Sequence, residues 1–123
     1  LEGNSAPYLQ YTTARANSVL RIAKLPITNY QFPINFKPND EEALLLRSFI
    51  HFPEVIEDAA KSYSPNLLCN YLFDLAQKFN AFYARHKIVG SKEQAIRLAL
   101  TVATGQILKN GLKILGIDAP NRM

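Results

Sequence analysis

The sequence predicts an all-α domain, an antiparallel bundle of about five helices, and three observations lead to that prediction. Apolar residues recur at helical spacing through most of the 123 residues. Helix-capping signals, in which Ser or Asn precedes Pro or acidic residues, recur along the chain. No stretch of the sequence makes a convincing strand. The length suits one domain that buries a core without a disulfide or a metal.

The first helix is expected at about residues 6–24, with Ser5 as its candidate N-cap. Its apolar face consists of residues that recur at helical spacing: Leu9, Ala16, Val19, Leu20 and Ala23. Residues 25–38 contain three prolines, which exclude a helix there. Because apolar residues lie between those prolines, we expect this connection to be a loop pinned to the core.

Two helices are expected in the next part of the chain. Asn39 caps the first of them, and the acidic residues of its first turn complement the helix dipole. This helix is predicted to break at His51-Phe52. Pro53 suits the first position of a second, short helix.

The last two helices are predicted by similar signals. Ser64 and Pro65 begin a helix that continues to about Arg85. Ser91 and Gln94 form a predicted capping box, which starts a helix to about Leu115 that ends at a C-cap Gly116. Glycine lowers helix stability, so Gly105 and Gly111 inside that helix predict close packing against a neighbour.

The charged residues are unevenly distributed along a chain whose net charge is +4. Residues 39–58 hold six acidic side chains and one basic one. Residues 1–38 hold four basic and one acidic, and residues 59–123 hold nine basic and three acidic. This segregation indicates a basic side that faces a polyanion, although solvated helix faces produce similar totals.

The sequence predicts neither a catalytic site nor a metal site. His51, Cys69 and His86 are scattered singly, whereas a metal site needs clustered ligands. Cys69 follows two leucines and fits the core better than a nucleophile, and His51 fits a helix junction. His86 stands at a helix end, where its charge favours the dipole. A single cysteine and the lack of any long apolar run favour a cytoplasmic protein.

Tyrosines and basic residues remain as candidates for a binding surface. Tyr8, Tyr11 and Arg15 are spaced to lie on one face of the first helix, and Tyr83 precedes a cationic run. Tyrosine rings can stack on unpaired bases while Arg and Lys hold phosphates. Spacing alone leaves two possibilities for this stripe, a half-buried seam or an RNA platform.

Longer motifs point to a family. The opening Gly-Asn-x-Ala-Pro-Tyr-x-Gln-Tyr and the ending Leu-Gly-Ile-x-Ala-Pro-x-Arg-Met are specific patterns. With them, residues 2–21, 52–83 and 97–123 resemble the C-terminal region of arginyl-tRNA synthetases. The resemblance implies an all-α anticodon-binding domain, often called DALR, although "AIRLAL" occupies the place of those four letters.

The resemblance also implies a function for a longer parent enzyme, which attaches arginine to its tRNA using ATP with magnesium. Residues 1–123 are then one anticodon-binding domain, without the catalytic domain and its His-x-Gly-His-like and Lys-Met-Ser-Lys-Ser-like motifs. We expect this domain to need no cofactor. Its expected partners are the anticodon loop of an arginine tRNA and the catalytic domain of the same chain, with no role for DNA or a membrane. The alternative is a helical protein-interaction module that has lost RNA binding.

Carried over by position, the family's tRNA contacts fall at three places in this chain. They are the first helix, the turn after the Arg85 helix and the C-terminus, and the residues concerned are Tyr8, Tyr11, Arg15, Tyr83, Lys87 and Met123. Lys87 favours a phosphate over stacking. Weaker candidates are Gln10, Asn70, Arg85, His86 and Arg122. Two possibilities remain for Gln10 and Asn70, which either read base edges or merely satisfy backbone groups. Two also remain for the tail at Met123, which either packs on the bundle or reaches the anticodon loop.

Overall fold

The computed structural model describes residues 5–23 and 35–120, and four α-helices make up most of them. They are α1 (Ser5–Ala23), α2 (Asp40–Lys61), α3 (Pro65–Arg85) and α4 (Gln94–Ile114). Within the described ranges there is no strand. The predicted all-α fold is therefore confirmed, and the predicted number of helices is one too many.

The helices form a bundle in which α3 and α4 each contact the other three helices. Helices α1 and α2 make no direct contact within the described ranges and lie on different sides of the α3–α4 pair. Antiparallel packing joins α2 to α3, as the ion pair between Glu41 and Arg85 shows, since these residues lie at opposite ends of their helices. By contrast, α1 and α3 run in the same direction, with Tyr8 beside Phe73 and Arg15 beside Asn80.

The predicted break in the second helix is wrong, because α2 continues through Pro53. A proline inside a helix costs about 3 kcal/mol. Here the proline ring is exposed, while residues on both sides of it pack inward. The Phe52 ring stacks on Tyr71 with 5.7 Å between centroids, and Val55 packs against the core. Packing on α3 thus holds one continuous helix, and His51 is an exposed helical residue rather than a junction.

The structure confirms some of the predicted N-terminal helix caps and contradicts others. Asn39 and Glu42 form a reciprocal capping box, with bonds of 2.8 and 2.9 Å. The capping box predicted at Ser91 is wrong, because α4 begins only at Gln94 and the Ser91 hydroxyl donates to the Ile88 carbonyl. Ser64 is the N-cap residue of α3 but makes no side-chain cap bond. The residues before α1 lie outside the described residues, so the cap predicted at Ser5 stays a prediction.

A Schellman turn ends α4 at the predicted glycine. Gly116 has φ of +77°, a conformation that glycine adopts without strain. Its N–H donates to the Lys113 carbonyl at 3.0 Å, and the Ile117 N–H donates to the Leu112 carbonyl at 2.8 Å. The chain then turns back, so that residues 117–120 return toward the start of α1.

The two glycines inside α4 lie at helix contacts, as predicted. A Cβ at Gly111 would come within 2.6 Å of the Leu72 methyl groups, and one at Gly105 within 3.4 Å of the Ala16 Cβ. Gly111 therefore lets α3 and α4 approach closely.

The core is made mainly of leucines around two phenylalanines. Phe79 and Phe82 of α3 are fully buried, with 6.1 Å between their ring centroids. Leucines of all four helices surround them, including Leu9, Leu45 and Leu108. Phe36 of the connection before α2 is half-buried; the other apolar residues that were expected to pin this loop lie outside the described residues. No helix of the described ranges has the length and apolarity needed to cross a membrane.

Candidate nucleic-acid interface

Three of the residues singled out from the sequence form one cluster on the surface. The Arg15 guanidinium lies over the Tyr83 ring at 4.4 Å from its centroid and over the Tyr11 ring at 4.8 Å. One guanidinium nitrogen of Arg15 donates to the Tyr11 hydroxyl at 2.6 Å. Tyr11 and Tyr83 remain 47% and 41% exposed, so their rings are open to a ligand. The surface of Tyr11, Arg15 and Tyr83 is called the tyrosine–arginine cluster below.

Local sequence explains why these side chains meet. Tyr11 and Arg15 are four residues apart on α1 and therefore share one helix face. Tyr83 belongs to the last turn of α3, which runs beside α1 in the same direction. Phe79, one turn earlier, is buried beside Tyr83 with 6.4 Å between their centroids. The buried Phe79 ring and the Arg15 cation both contact Tyr83, whose ring stays partly exposed at the surface.

A side chain that the sequence reading missed, Asn80, connects this cluster to the seam between α1 and α3. Its Oδ1 accepts a hydrogen bond from the Arg15 guanidinium at 2.8 Å. Its Nδ2 donates to the Tyr8 hydroxyl and to Thr12 Oγ1, both at 3.0 Å. In the sequence, Asn80 is marked only as a single polar residue one turn after Ala76 in an otherwise apolar stripe of α3.

Tyr8 lies in the seam and not on the open surface. Its ring packs against Phe73 at 5.2 Å between centroids, and the residue is half-buried against the core. Its hydroxyl accepts the bond from Asn80. The structure thus gives Tyr8 the seam position that spacing alone left open, and its predicted contact with RNA stays a prediction.

A groove of about 350 Å³ extends from the cluster along α1. Beyond the tyrosines, its walls include Ser18 and Ile22, which continue the helix face of Tyr11 and Arg15. Ile22 is 65% exposed. The sequence reading did not single out either residue, although their spacing of three and seven from Arg15 marks the same face.

The basic residues that follow Tyr83 are engaged by an acidic side chain. His86 Nε2 lies 2.7 Å from one Glu41 carboxylate oxygen, and an Arg85 guanidinium nitrogen lies 3.4 Å from the other. The hydrogen bond with His86 holds the pKa of the Glu41 carboxyl below its ordinary value of 4.5, and the Arg85 charge acts in the same direction. The charge of Arg85 is therefore partly offset within the protein, and the His86 ring is held by the same carboxylate.

Lys87 stands in the turn that joins α3 to α4, and its side chain is exposed. The Lys87 carbonyl accepts a bond of 2.7 Å from Arg97, which also pairs with the buried Glu42 carboxylate at 3.3 Å. Arg97 thus fixes the turn to α2 and α4. The Lys87 ammonium stays at the surface beyond the end of α3, where a phosphate contact remains a prediction.

The remaining candidates lie apart from the cluster or outside the described residues. The Gln10 amide donates to the Asp118 carbonyl at 2.9 Å, so it ties the returning tail to α1. Asn70 is exposed on α3, 13 residues before Tyr83 and therefore about 20 Å away along the helix. Arg122 and Met123 lie outside the described residues.

The acidic segment of the sequence forms one helix of the bundle, and the predicted basic side that faces a polyanion stays a prediction. All six acidic residues of the segment 39–58 belong to α2. Helix α1, which carries Tyr11 and Arg15, packs on α3 and α4 without contacting α2. A negatively charged ligand that approaches α1 therefore meets a helix that does not contact the acidic helix.

The structure also places the isolated reactive side chains. Cys69 is buried in the core, and burial raises the pKa of its thiol. His51 is exposed on α2, with its ring 3.6 Å from the Glu54 carboxylate. Among residues 5–23 and 35–120, no three His, Cys, Asp or Glu side chains lie close enough to hold a metal ion.

The fold and the cluster together define an all-α domain that presents exposed aromatic side chains around a cation. Comparison with known proteins gives its family. The DALR anticodon binding domain family matches residues 9–123. This chain therefore belongs to the DALR anticodon binding domain family.

Its relatives are arginine–tRNA ligases. The chain is 39% identical over 137 residues to that of Rhodopirellula baltica, with 100% of this chain and 20% of that protein covered. It is 37% identical over 123 residues to that of Lactobacillus johnsonii, with 99% and 22% covered. The solved Thermus thermophilus arginyl-tRNA synthetase superposes with a TM-score of 0.84 at 33% identity, over 99% of this chain and 22% of that one. The chain thus spans about one fifth of the length of these relatives.

Proposed function

We propose that residues 1–123 are the anticodon-binding domain of an arginine–tRNA ligase and bind the anticodon loop of an arginine tRNA. The observation that carries the proposal is the tyrosine–arginine cluster. Two exposed tyrosine rings flank a guanidinium on a face formed by α1 and the last turn of α3. Unpaired anticodon bases stack on such rings, and the cation neutralises a nearby phosphate.

The residues divide into two roles in this proposal. Tyr83 and Tyr11 stack on bases, and Arg15 binds phosphate beside them. Lys87, beyond the end of α3, contacts a phosphate further along the loop, and Met123 at the C-terminus approaches the same loop. Tyr8 contributes mainly by shaping the seam below the cluster, because its ring is packed on Phe73.

The chemistry of the parent enzyme takes place outside this domain. In the proposal, a catalytic domain of the same chain uses ATP with magnesium to attach arginine to the tRNA in the cytoplasm, during protein synthesis. This domain takes part by positioning the tRNA. It holds the anticodon loop, so that the rest of the tRNA reaches the catalytic domain, and it needs no cofactor to do so.

Binding of the purified 123-residue chain to an arginine-tRNA anticodon stem-loop tests the proposal. The dissociation constant is measured between about 50 and 200 mM salt, and phosphate contacts predict that affinity falls steeply across this range. A DNA stem-loop of the same sequence is the control, and we expect it to bind more weakly because the domain reads an RNA loop.

Two outcomes would contradict the proposal. Absence of binding to the RNA at low salt would favour the alternative, a helical protein-interaction module without RNA binding. Affinity that does not change with salt would exclude a binding mode built on phosphate contacts.

A further inference from the structure

The hydrogen bonds of Asn80 fix how Arg15 presents its charge. The guanidinium has five N–H donors and no acceptor, so the Asn80 amide must turn its oxygen toward Arg15. Its nitrogen then donates to Tyr8 and Thr12, which hold the amide in this orientation from the other side. The three partners of Asn80 lie at successive turns of α1. One side chain of α3 therefore makes hydrogen bonds to three turns of α1.

We propose that Asn80 is a positioning residue for RNA binding, one that holds Arg15 between the tyrosine rings before the RNA arrives. The inference rests on the proposed function and deepens it. A free arginine side chain loses much of its rotamer freedom when it binds a phosphate. Here Asn80 and the Tyr11 hydroxyl each hold one end of the guanidinium, and the Tyr83 ring supports its face. Most of that ordering is complete in the free protein, which favours tighter binding.

The neutrality of Asn80 matters as much as its position. A carboxylate in its place would hold Arg15 equally well but would offset its charge. An amide oxygen fixes the guanidinium and leaves the full positive charge for a phosphate. Only two of the five N–H donors of Arg15 are used in the contacts with Asn80 and Tyr11. The outward edge of the guanidinium can therefore donate to the RNA.

A double-mutant cycle on the full 123-residue chain tests this inference, with the anticodon stem-loop of an arginine tRNA as the probe. Asn80→Ala is expected to weaken binding about 2- to 12-fold in the unaltered background, the range for one side chain that must be ordered on binding. In the Arg15→Gln background, the same change is expected to have little further effect, because the side chain that it positions is gone. Gln77→Ala, an exposed amide one turn earlier on α3, is the matched control and is expected to bind normally.

The salt dependence separates positioning from loss of charge. Asn80→Ala retains the Arg15 cation, so the slope of log K against log salt is expected to stay unchanged. Arg15→Gln removes one phosphate contact and is expected to reduce that slope by about 0.7. In the free protein, the NMR signals of the Arg15 guanidinium are expected to show slow rotation in the unaltered chain and fast rotation in Asn80→Ala.

Each result supports or overturns the inference. Equal losses from Asn80→Ala in both backgrounds, or unchanged Arg15 signals, would show that Asn80 does not position Arg15. Those results would leave the proposed function intact, provided that the unaltered chain binds the stem-loop and that Arg15→Gln weakens this binding. Failure of the unaltered chain to bind would contradict both.

Discussion

Two groups of basic side chains lie near Tyr83, and they differ in the side chains that they contact. At the tyrosine–arginine cluster, the contacts of Arg15 described above are with neutral groups, two tyrosines and the Asn80 amide. At the end of α3, Arg85 and His86 instead face the Glu41 carboxylate at 3.4 and 2.7 Å. The first site keeps its charge for a ligand, whereas the charge of Arg85 at the second site is partly offset by a carboxylate of the protein.

The contrast shows that the identity of a partner decides what a basic residue can do. A count of lysines and arginines treats Arg15 and Arg85 alike. The structure separates them, because a neutral amide orders a cation without offsetting its charge and a carboxylate offsets it. We therefore expect RNA affinity to depend on Arg15 and its rings, and the junction of α2 with α3 to depend on the Glu41 pairs.

The largest effect is expected from the Tyr83 ring. Tyr83→Ala should weaken binding to the anticodon stem-loop by about 1–3 kcal/mol, the contribution of one stacked base. It also removes the ring that supports Arg15 at 4.4 Å. Titration of the stem-loop with the variant chain measures the loss.

Two controls make that result specific. Tyr83→Phe retains the stacking face and is expected to bind almost normally. Tyr63→Ala removes a ring that is 93% exposed at the other end of α3, about 30 Å away along the helix, and should leave affinity unchanged. Equal losses from Tyr83→Ala and Tyr63→Ala would mean that RNA binding does not depend on the cluster.

The second effect compares the two arginines directly. Arg15→Gln should weaken binding at least about tenfold, because it removes a charge-assisted bond to phosphate. Arg85→Gln should change affinity by less than about twofold, since the Arg85 charge is exposed and paired with Glu41. Dissociation constants at one salt concentration are sufficient. A larger loss for Arg85→Gln would reverse the assignment of the two sites.

The smallest effect is expected from removing the acidic partner. Glu41→Gln removes a carboxylate close to Tyr83 and frees the Arg85 charge, so affinity for RNA should rise by up to about threefold at low salt. The control is Glu57→Gln, which removes a carboxylate from the exposed pair with Lys61 at the far end of α2. A rise with both variants would indicate a general effect of net charge.

The Glu41→Gln variant also tests whether the lowered pKa of Glu41 contributes to the stability of the fold. Its carboxyl has a lowered pKa in the folded protein, so its pairs stabilise the fold above the ordinary value of 4.5. That stabilisation is lost as the pH falls below 4.5, when the carboxyl takes up a proton. Thermal unfolding from neutral to acidic pH should therefore show a smaller loss of stability for Glu41→Gln than for the unaltered chain. Parallel curves would mean that the pairs do not stabilise the fold.

Much of the fold follows from local signals in the sequence. Apolar spacing marked all four helices, and Asn39, Pro65 and Gly116 marked helix ends that the structure confirms. One error arose where tertiary packing outweighed a local signal. Pro53 predicts a helix end, but the stacking of Phe52 on α3 keeps α2 continuous.

The site was predictable only in part. Periodicity placed Tyr11 and Arg15 on one face of α1, and the cationic run after Tyr83 made this residue a candidate as well. The resemblance to a family then assigned all three to RNA binding. Asn80 could not be found this way, because its importance lies in contacts with three residues about 65 to 72 positions away. The engagement of Arg85 by Glu41 depends on a similar long-range contact, which charge counts do not reveal.

Mapping of the RNA on the protein by NMR tests the central claim most directly. Chemical shifts of the nitrogen-15-labelled chain are followed while the arginine-tRNA anticodon stem-loop is added. We predict that the largest changes fall on Tyr11, Arg15 and Ser18 of α1 and on Asn80 and Tyr83 of α3. Changes concentrated on α2, with the cluster unaffected, would contradict the account.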